Sequence, residues 1–263
     1  MDILSKIIKK KKEELEYLKK NVSISELEKS IYFNSKTNSL VNSIKGKDIS
    51  IIAEHKRKSP SKSDINHLTS TKDVVHGYEY GGAVGISFLT EKNFFDGSVE
   101  DFKEARKITK LPLLRKDFII DEYQIIESKS IGADAILLIA ACLNDTDILK
   151  LSNLAKSIGL EVLIEIHEIE ELKKSSISTI DIIGINNRDL KTFDVNIETS
   201  LNLINKIPSS FTKISESGLN SSVEINKLKN HGFDGFLIGE RFMKSQYPGK
   251  ELSNFISKIK DES

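Results

Sequence analysis

A chain of 263 residues is long enough for one large domain or two small ones, and its 38% hydrophobic content can fill one sizeable core. Lysine plus arginine equals aspartate plus glutamate at 39 each, so bulk attraction to nucleic acid or to an anionic membrane is not indicated. No apolar run approaches the roughly 20 residues of a membrane span, the lysine-rich N-terminus lacks the pattern of a signal peptide, and the single Cys142 indicates a reducing, cytoplasmic compartment.

Residues 1–45 form the first predicted unit, a helical N-terminal extension. Its apolar residues, among them Ile3, Ile7 and Leu15, recur at helical spacing. Four lysines at positions 9–12 are followed at once by two glutamates, so this run is predicted to lie on a solvated helix face instead of forming a nucleic-acid patch.

Eight short apolar runs follow, with segments of helical spacing between them. The runs are Ile49–Ala53, Ala83–Leu89, Leu111–Leu114, Ala135–Ala140, Val162–Ile166, Ile180–Ile185, Phe211–Ile214 and Gly235–Ile238. Continuous apolar runs are typical of parallel strands that are buried on both faces. Eight strand–helix units in this length predict a (β/α)8 TIM barrel over residues 46–263. A doubly wound open sheet is the alternative, but it often carries a glycine-rich turn after its first strand, whereas Gly81–Gly85 precedes a strand here.

The end of the first predicted strand carries the most informative residues of the chain. The apolar run passes directly into Glu54, four basic residues and a Ser-Pro-Ser turn. Because side chains alternate along a strand, Glu54 and Lys56 face one way, and His55 faces the other and is predicted to pack outside the barrel. A glutamate and a lysine at the end of a buried strand are costly unless something pairs or uses them.

The same alternation selects inward-facing polar groups at several other strand ends. The full set is Glu54, Lys56, Lys116, Glu165, Asn186 and Glu216. Catalytic groups of such barrels lie at the C-terminal ends of the strands, so these side chains are predicted to converge on one cavity. Structural salt bridges between neighbouring strands are the alternative for any one of them. The fourth strand ends in apolar residues, which predicts a hydrophobic contact with the ligand on that side.

The loops after strands 7 and 8 are predicted to bind phosphate, as they often do in these barrels. Ser217-Gly218 and Gly239-Glu240 occupy these loops. Glycine lets the backbone approach a phosphate closely, and N–H groups at a helix start attract anions. The carboxylate of Glu240 must then turn away and offer only its N–H.

Several motifs in order resemble the indole-3-glycerol-phosphate synthase family. They are Glu54-x-Lys56-Arg57-Lys58-Ser59-Pro60-Ser61, Leu114-Arg115-Lys116-Asp117-Phe118, Glu161–His167, Gly184–Leu190, Ser215–Gly218 and Leu237–Gly239, together with a stretch similar to the family's loop after strand 2, Thr90–Ser98. The resemblance covers the whole chain. It implies ring closure, decarboxylation and dehydration of 1-(2-carboxyphenylamino)-1-deoxyribulose 5-phosphate to indole-3-glycerol phosphate in tryptophan biosynthesis. It also implies no metal and no organic cofactor, and the five histidines show no metal-ligand spacing.

Catalytic roles follow from the resemblance and the chemistry. Lys116 would protonate the carbonyl oxygen, its pKa lowered from about 10.4 toward the working pH by burial or neighbouring cations. Lys56 would pair with the substrate carboxylate or phosphate, or protonate the departing hydroxyl. Glu165 would remove the ring proton. Glu54 and Glu216 would hold the lysines and stabilise the cationic intermediate, while Asn186 would orient a substrate hydroxyl or Glu216.

Substrate contacts are predicted in two groups. The predicted phosphate contacts are Ser59, Ser217, Gly218, Gly239 and the backbone of Glu240, and the predicted aromatic-ring contacts are Phe95, Phe118, Leu137 and Leu190. A plain core role is the alternative for the second group. Arg188 matches a motif position, with a structural role as its equal alternative.

Two other interpretations are alternatives to this one. Phosphoribosylanthranilate isomerase uses a cysteine and an aspartate as acid and base, and here the only cysteine follows strand 4; the tryptophan synthase α subunit is a similar barrel. A barrel that only binds a ligand would not require lysines and carboxylates at so many strand ends. The expected partner is a small phosphorylated substrate, and the expected state is a monomer, with weak dimerisation as the alternative.

Overall fold

Eight parallel strands close into a ring, and helices surround it. The computed structural model describes residues 2–60, 62, 64–190 and 192–262. The strands are β1 Ile51–His55, β2 Gly85–Leu89, β3 Leu113–Lys116, β4 Ala135–Ile139, β5 Glu161–Ile166, β6 Ile182–Asn186, β7 Thr212–Glu216 and β8 Gly235–Ile238. Each strand pairs with the next in chain order, and β1 also pairs with β8. The predicted (β/α)8 barrel is therefore confirmed.

Three helices precede the first strand, and the rest alternate with the strands. The first three are α1 Ile3–Asn21, α2 Ile24–Leu27 and α3 Leu40–Lys45. The others are α4 Thr71–Gly81, α5 Lys92–Phe95, α6 Val99–Ile108, α7 Glu122–Ser130, α8 Asp145–Ser157, α9 Ile169–Ser175, α10 Glu198–Leu203, α11 Ser222–Asn230, α12 Glu240–Met243 and α13 Pro248–Asp261. Side chains of Ser or Asp cap the N-termini of α4, α6, α7 and α11 and accept backbone N–H groups there.

Helix α3 closes the N-terminal end of the barrel. Leu40 and Ile44 are fully buried and belong to the cluster of apolar side chains inside the ring. Glu161, at the start of β5, accepts the backbone N–H groups of Leu40 at 2.7 Å and Val41 at 3.0 Å. Burying a leucine or isoleucine side chain contributes roughly 1.5–3 kcal/mol. The site is thereby left to the opposite end of the barrel.

Helix α1 is fixed beside the C-terminal end of β3 by a buried lysine. Lys11 is only 3% exposed, and its Nζ lies 3.0 Å from Asp117 Oδ1 and 2.8 Å from Glu14 Oε2. Asp117 also accepts a hydrogen bond from Thr90 and faces Arg115 at 3.3 Å. The prediction that residues 9–12 lie on a solvated face is therefore wrong for Lys11. Its buried partner, Asp117, is distant in sequence, so the local pattern of charges did not indicate the pair.

Lys11→Met is expected to lower the free energy of unfolding by about 2–3 kcal/mol, because it leaves the buried carboxylate of Asp117 with only Arg115 as a cationic partner. Lys10→Met is the matched control, since Lys10 lies on the same helix and its side chain is 51% exposed. The control should change the free energy by no more than about 0.5 kcal/mol. Urea unfolding measures both, and equal effects would contradict a fixing role for Lys11.

Candidate active site

A cavity of about 280 Å³ opens at the C-terminal ends of the strands. Five of the six predicted polar residues line it: Glu54, Lys56, Lys116, Glu165 and Asn186. The sixth, Glu216, is fully buried and lies against Lys116. The structure thus brings together all six residues that strand alternation selected.

Lys116 is the centre of this group. Its Nζ lies 2.7 Å from Glu216 Oε2, 3.5 Å from Glu165 Oε2 and 3.8 Å from Glu54 Oε2. Lys56 approaches only one carboxylate of the set, with its Nζ 2.6 Å from Glu54 Oε1. Four different strands, β1, β3, β5 and β7, therefore supply one compact network of charges.

The pKa of Lys116 is raised, contrary to the expectation that it would be lowered. Burial by itself lowers this pKa, but the negative charges of Glu216, Glu165 and Glu54 together outweigh burial. Lys116 is consequently an ammonium group at neutral pH. The direction of the shift is set by these carboxylates and not by neighbouring cations.

The pKa values of Glu54 and Glu216 are shifted in opposite directions. Although burial opposes it, Lys56 and then Lys116 lower the pKa of Glu54. Glu216 has the reverse balance, because burial, together with the negative charge of Glu165, raises its pKa to about 7 despite Lys116. With three carboxylates against two lysines, the surplus negative charge falls on Glu216, which is therefore partly protonated near neutral pH.

The raised pKa of Glu216 predicts a pH-dependent stability. A carboxyl group whose folded pKa lies above its unfolded value stabilises the fold below about pH 4.5, and this contribution is lost as the pH rises through about 7. Glu216→Gln should therefore gain stability relative to the unchanged protein across that window, by about 3 kcal/mol. Urea unfolding at pH 4.5, 6 and 8 measures the difference, and a difference that does not vary with pH would contradict the raised pKa.

Two glycines make room for the buried carboxylates. A Cβ on Gly184 would collide with Oε1 of Glu216, and a Cβ on Gly239 would lie 2.6 Å from Oε1 of Glu54. Gly239 was predicted only as a phosphate contact, and its place against Glu54 is a second reason for a glycine there. Nothing in the spacing of the sequence indicated the part that Gly184 plays.

The residues predicted to bind phosphate all line the same cavity: Ser59, Ser217, Gly218, Gly239 and Glu240. Ser217 and Gly218 both have positive φ angles, of 66° and 72°, so a tight turn follows β7. The carboxylate of Glu240 is bound by Lys62 and Lys244. Ser61, part of the predicted loop after β1, lies outside the described residues.

An apolar wall completes the cavity. All of the predicted ring contacts line it: Phe95, Phe118, Leu137 and Leu190. The ring centroids of Phe95 and Phe118 lie 6.0 Å apart. Ile3, Leu4 and Ile7 of α1 line it as well. Helical periodicity identified these three as one face of a helix, but no signal in the sequence placed that helix over the mouth of the barrel.

Arg188 has contacts that fit both of its predicted alternatives. Its Nη1 donates to the backbone oxygen of Phe193 at 3.0 Å, which supports the loop after β6, and its side chain also lines the cavity. The side-chain oxygen of Asn186 accepts the backbone N–H of Arg188 at 2.9 Å. Asn186 thus helps to orient this loop, and it also lies beside Glu216, its partner in the pairing of β6 with β7.

Two histidines flank the predicted catalytic residues in different ways. His55 stacks on Phe88 outside the barrel, and burial lowers its pKa to about 4, which agrees with the predicted packing role. His167 was not predicted to belong to the site, yet its Nε2 lies 3.6 Å from Glu165 Oε1 and its Nδ1 lies 3.7 Å from Glu171 Oε2. The alternation that selected Glu165 on β5 extends to residue 167 and could have identified it.

Two kinds of feature are absent from the described ranges, which leave out positions 1, 61, 63, 191 and 263. No group of three or more His, Cys, Asp or Glu side chains there is arranged to hold a metal ion. No helix within the same ranges is long and apolar enough to span a membrane.

Known structures share the architecture. The chain resembles 3-hexulose-6-phosphate synthase from Salmonella typhimurium with a TM-score of 0.64 and 13% sequence identity, over 82% of this chain and 100% of that one. It resembles the tryptophan synthase α subunit of Legionella pneumophila with a TM-score of 0.61 and 12% identity, over 85% and 99%. At such identities the likeness shows the barrel fold alone.

Sequence comparison is more specific. The family model described as indole-3-glycerol phosphate synthase matches residues 4–255. An indole-3-glycerol phosphate synthase of Bacteroides thetaiotaomicron is 44% identical over 98% of this chain and 99% of its own length. One from Prochlorococcus marinus is 45% identical over 92% and 85%, respectively. The chain therefore belongs to the indole-3-glycerol phosphate synthase family.

Proposed function

We propose that this chain converts 1-(2-carboxyphenylamino)-1-deoxyribulose 5-phosphate to indole-3-glycerol phosphate, carbon dioxide and water, a reaction of tryptophan biosynthesis. The observation that carries the proposal is Lys116, an ammonium group among three carboxylates at the base of a cavity with an apolar wall. The substrate needs a proton donor at its ketone, negative charge near a cationic intermediate and an apolar surface for its ring.

The residues divide the reaction into acid and base steps. The ring carbon that bears the carboxylate forms a bond to the ketone carbon, and Lys116 donates a proton to the ketone oxygen. Carbon dioxide then leaves. Lys56 protonates the new hydroxyl, which departs as water, and Glu165 removes the ring proton to complete the aromatic indole.

Neighbouring groups support these steps by charge and position. Glu54 and Glu216 hold Lys56 and Lys116 within 2.7 Å and stabilise the cationic intermediate. The substrate's phosphate binds to the residues Ser59, Ser217, Gly218 and Gly239 with the backbone of Glu240, assisted by Arg188. Its ring lies on the wall formed by Phe95, Phe118, Leu137 and Leu190.

A cysteine-based mechanism is not supported. Burial, together with the charge of Glu165, raises the pKa of Cys142 to about 12, so the thiol is a poor acid or base at neutral pH. This argues against the isomerase that uses a cysteine and an aspartate.

The direct test is the indole fluorescence that appears when the purified protein meets the carboxyphenylamino substrate. The expected result is a time-dependent signal with release of one carbon dioxide per indole formed. A folded protein that gives neither signal would overturn the proposed activity. We also propose that the enzyme is a cytoplasmic monomer, with weak dimerisation as the alternative, which sedimentation at working concentration distinguishes.

A further inference from the structure

Glu240 lies among three cations at the edge of the cavity. Its Oε1 lies 2.6 Å from Lys244 Nζ and 3.2 Å from Lys62 Nζ, and its Oε2 lies 4.0 Å from Arg188 Nη2. Lys62 belongs to the loop after β1, Arg188 to the loop after β6, and Lys244 directly follows α12. One carboxylate therefore joins three separate segments of the mouth.

Two of these cations, Lys244 and Arg188, border the proposed phosphate contacts. Glu240, Lys244 and Arg188 line the cavity together with Ser59 and Gly239. Lysine and arginine are the usual partners of phosphate groups, so a phosphate placed here is attracted to the cations that Glu240 already binds. Although burial opposes it, hydrogen bonds from Lys244 and Lys62 lower the pKa of Glu240, which keeps the carboxylate negative at neutral pH.

Lys62 also connects this cluster to the loop over the mouth. The backbone N–H of Ser59 donates to the oxygen of Lys62 at 2.8 Å, and the N–H of Lys62 donates back to the oxygen of Ser59 at 3.0 Å. The ion pair between Lys62 and Glu240 thus holds Lys62, and through it Ser59, against the start of α12.

We propose that Glu240 is an internal competitor of the substrate phosphate. It binds Lys62, Lys244 and Arg188 when no phosphate is present, and it yields these cations when the phosphate arrives. The inference rests on the proposed function in that the phosphate is the one carried by that substrate. Glu240 accordingly limits the affinity for phosphorylated ligands and keeps Lys62 and Ser59 in place between turnovers.

The test is calorimetric titration of inorganic phosphate into the full-length protein and into Glu240→Gln. Removal of the competing charge is expected to tighten phosphate binding by about fivefold to tenfold at low salt, because the cluster is only partly screened by water. Binding to the variant should also weaken more steeply with added salt. Glu198→Gln is the matched control, since it removes a carboxylate that pairs with Lys227 outside the cavity, and it should leave the affinity unchanged.

Unchanged or weaker phosphate binding by Glu240→Gln would overturn the inference, because the carboxylate would then position the cations instead of competing for them. A second variant, Lys244→Met, should weaken phosphate binding more in the Glu240→Gln background than in the unchanged protein, and equal losses would overturn it too. Failure of every sample to bind phosphate also refutes it. Turnover of the carboxyphenylamino substrate by the same samples reports separately on the proposed activity.

Discussion

Lys116→Met is expected to lower turnover by about 10²–10⁴-fold, the range that one general acid supplies. The ammonium group is the only cation within 4 Å of both Glu165 and Glu216 among the described residues. Its loss removes the donor for the ketone oxygen and the ion-pair partner of Glu216, while Glu165 retains His167 at 3.6 Å. Because the pKa of Glu216 already lies near 7, this residue takes up a proton in the variant, and the fold is expected to survive.

Single-turnover experiments separate Lys116 from Lys56. Lys116→Met should block ring closure, so the substrate accumulates unchanged. Lys56→Met should permit ring closure and slow the loss of water, so a decarboxylated intermediate accumulates. Lys103→Met is the matched control, because Lys103 is 42% exposed and pairs only with Glu100. Near-normal turnover by Lys116→Met, or the same accumulated species in both site variants, would contradict the division of roles.

Glu165→Gln is the second variant with a large expected effect, a loss of turnover of about 10²–10⁴-fold with substrate binding retained. Glutamine keeps the shape of the side chain and cannot accept the ring proton. The loss should be confined to the last step, so a substrate deuterated at the abstracted position should show a larger isotope effect in the variant than in the unchanged enzyme.

Glu168→Gln is the control for this variant. Glu168 follows β5 closely but is exposed, and its side chain does not cap α9. It should leave turnover within twofold of the unchanged enzyme, as expected of about 0.5 kcal/mol or less at a surface position. A small loss in Glu165→Gln would refute its role as the base, and so would a smaller isotope effect.

The barrel was predictable because strands buried on both faces need continuous apolar sequence. The predicted ends are less accurate than the predicted strands. The first run was placed at Ile49–Ala53 and the seventh at Phe211–Ile214, whereas the strands are Ile51–His55 and Thr212–Glu216. Backbone pairing continues past the apolar residues into Glu54 and Glu216, because these carboxylates form ion pairs with Lys56 and Lys116, respectively, inside the barrel. A prediction from hydrophobicity alone therefore ends each of these two strands at its last apolar residue, before the polar residues of the site.

Strand alternation also identified the face of each polar residue but not its partners. It placed Lys116 with three carboxylates in one cavity, yet the direction of the pKa shift depends on distances that only the folded barrel defines. Lys11 shows the same limit more clearly. Its sequence neighbours are charged and solvated, and only contact with Asp117 more than 100 residues away explains its burial.

Gly184 and Gly239 have a consequence for transplanting this chemistry into another scaffold. Six polar side chains form the candidate catalytic group, but two of its carboxylates occupy space that exists because these positions have no Cβ. A designed barrel that copies only the polar residues, with alanine at either position, would push Glu54 or Glu216 away from its lysine. A template for this site must therefore specify glycine at these two positions as strictly as it specifies the charged residues.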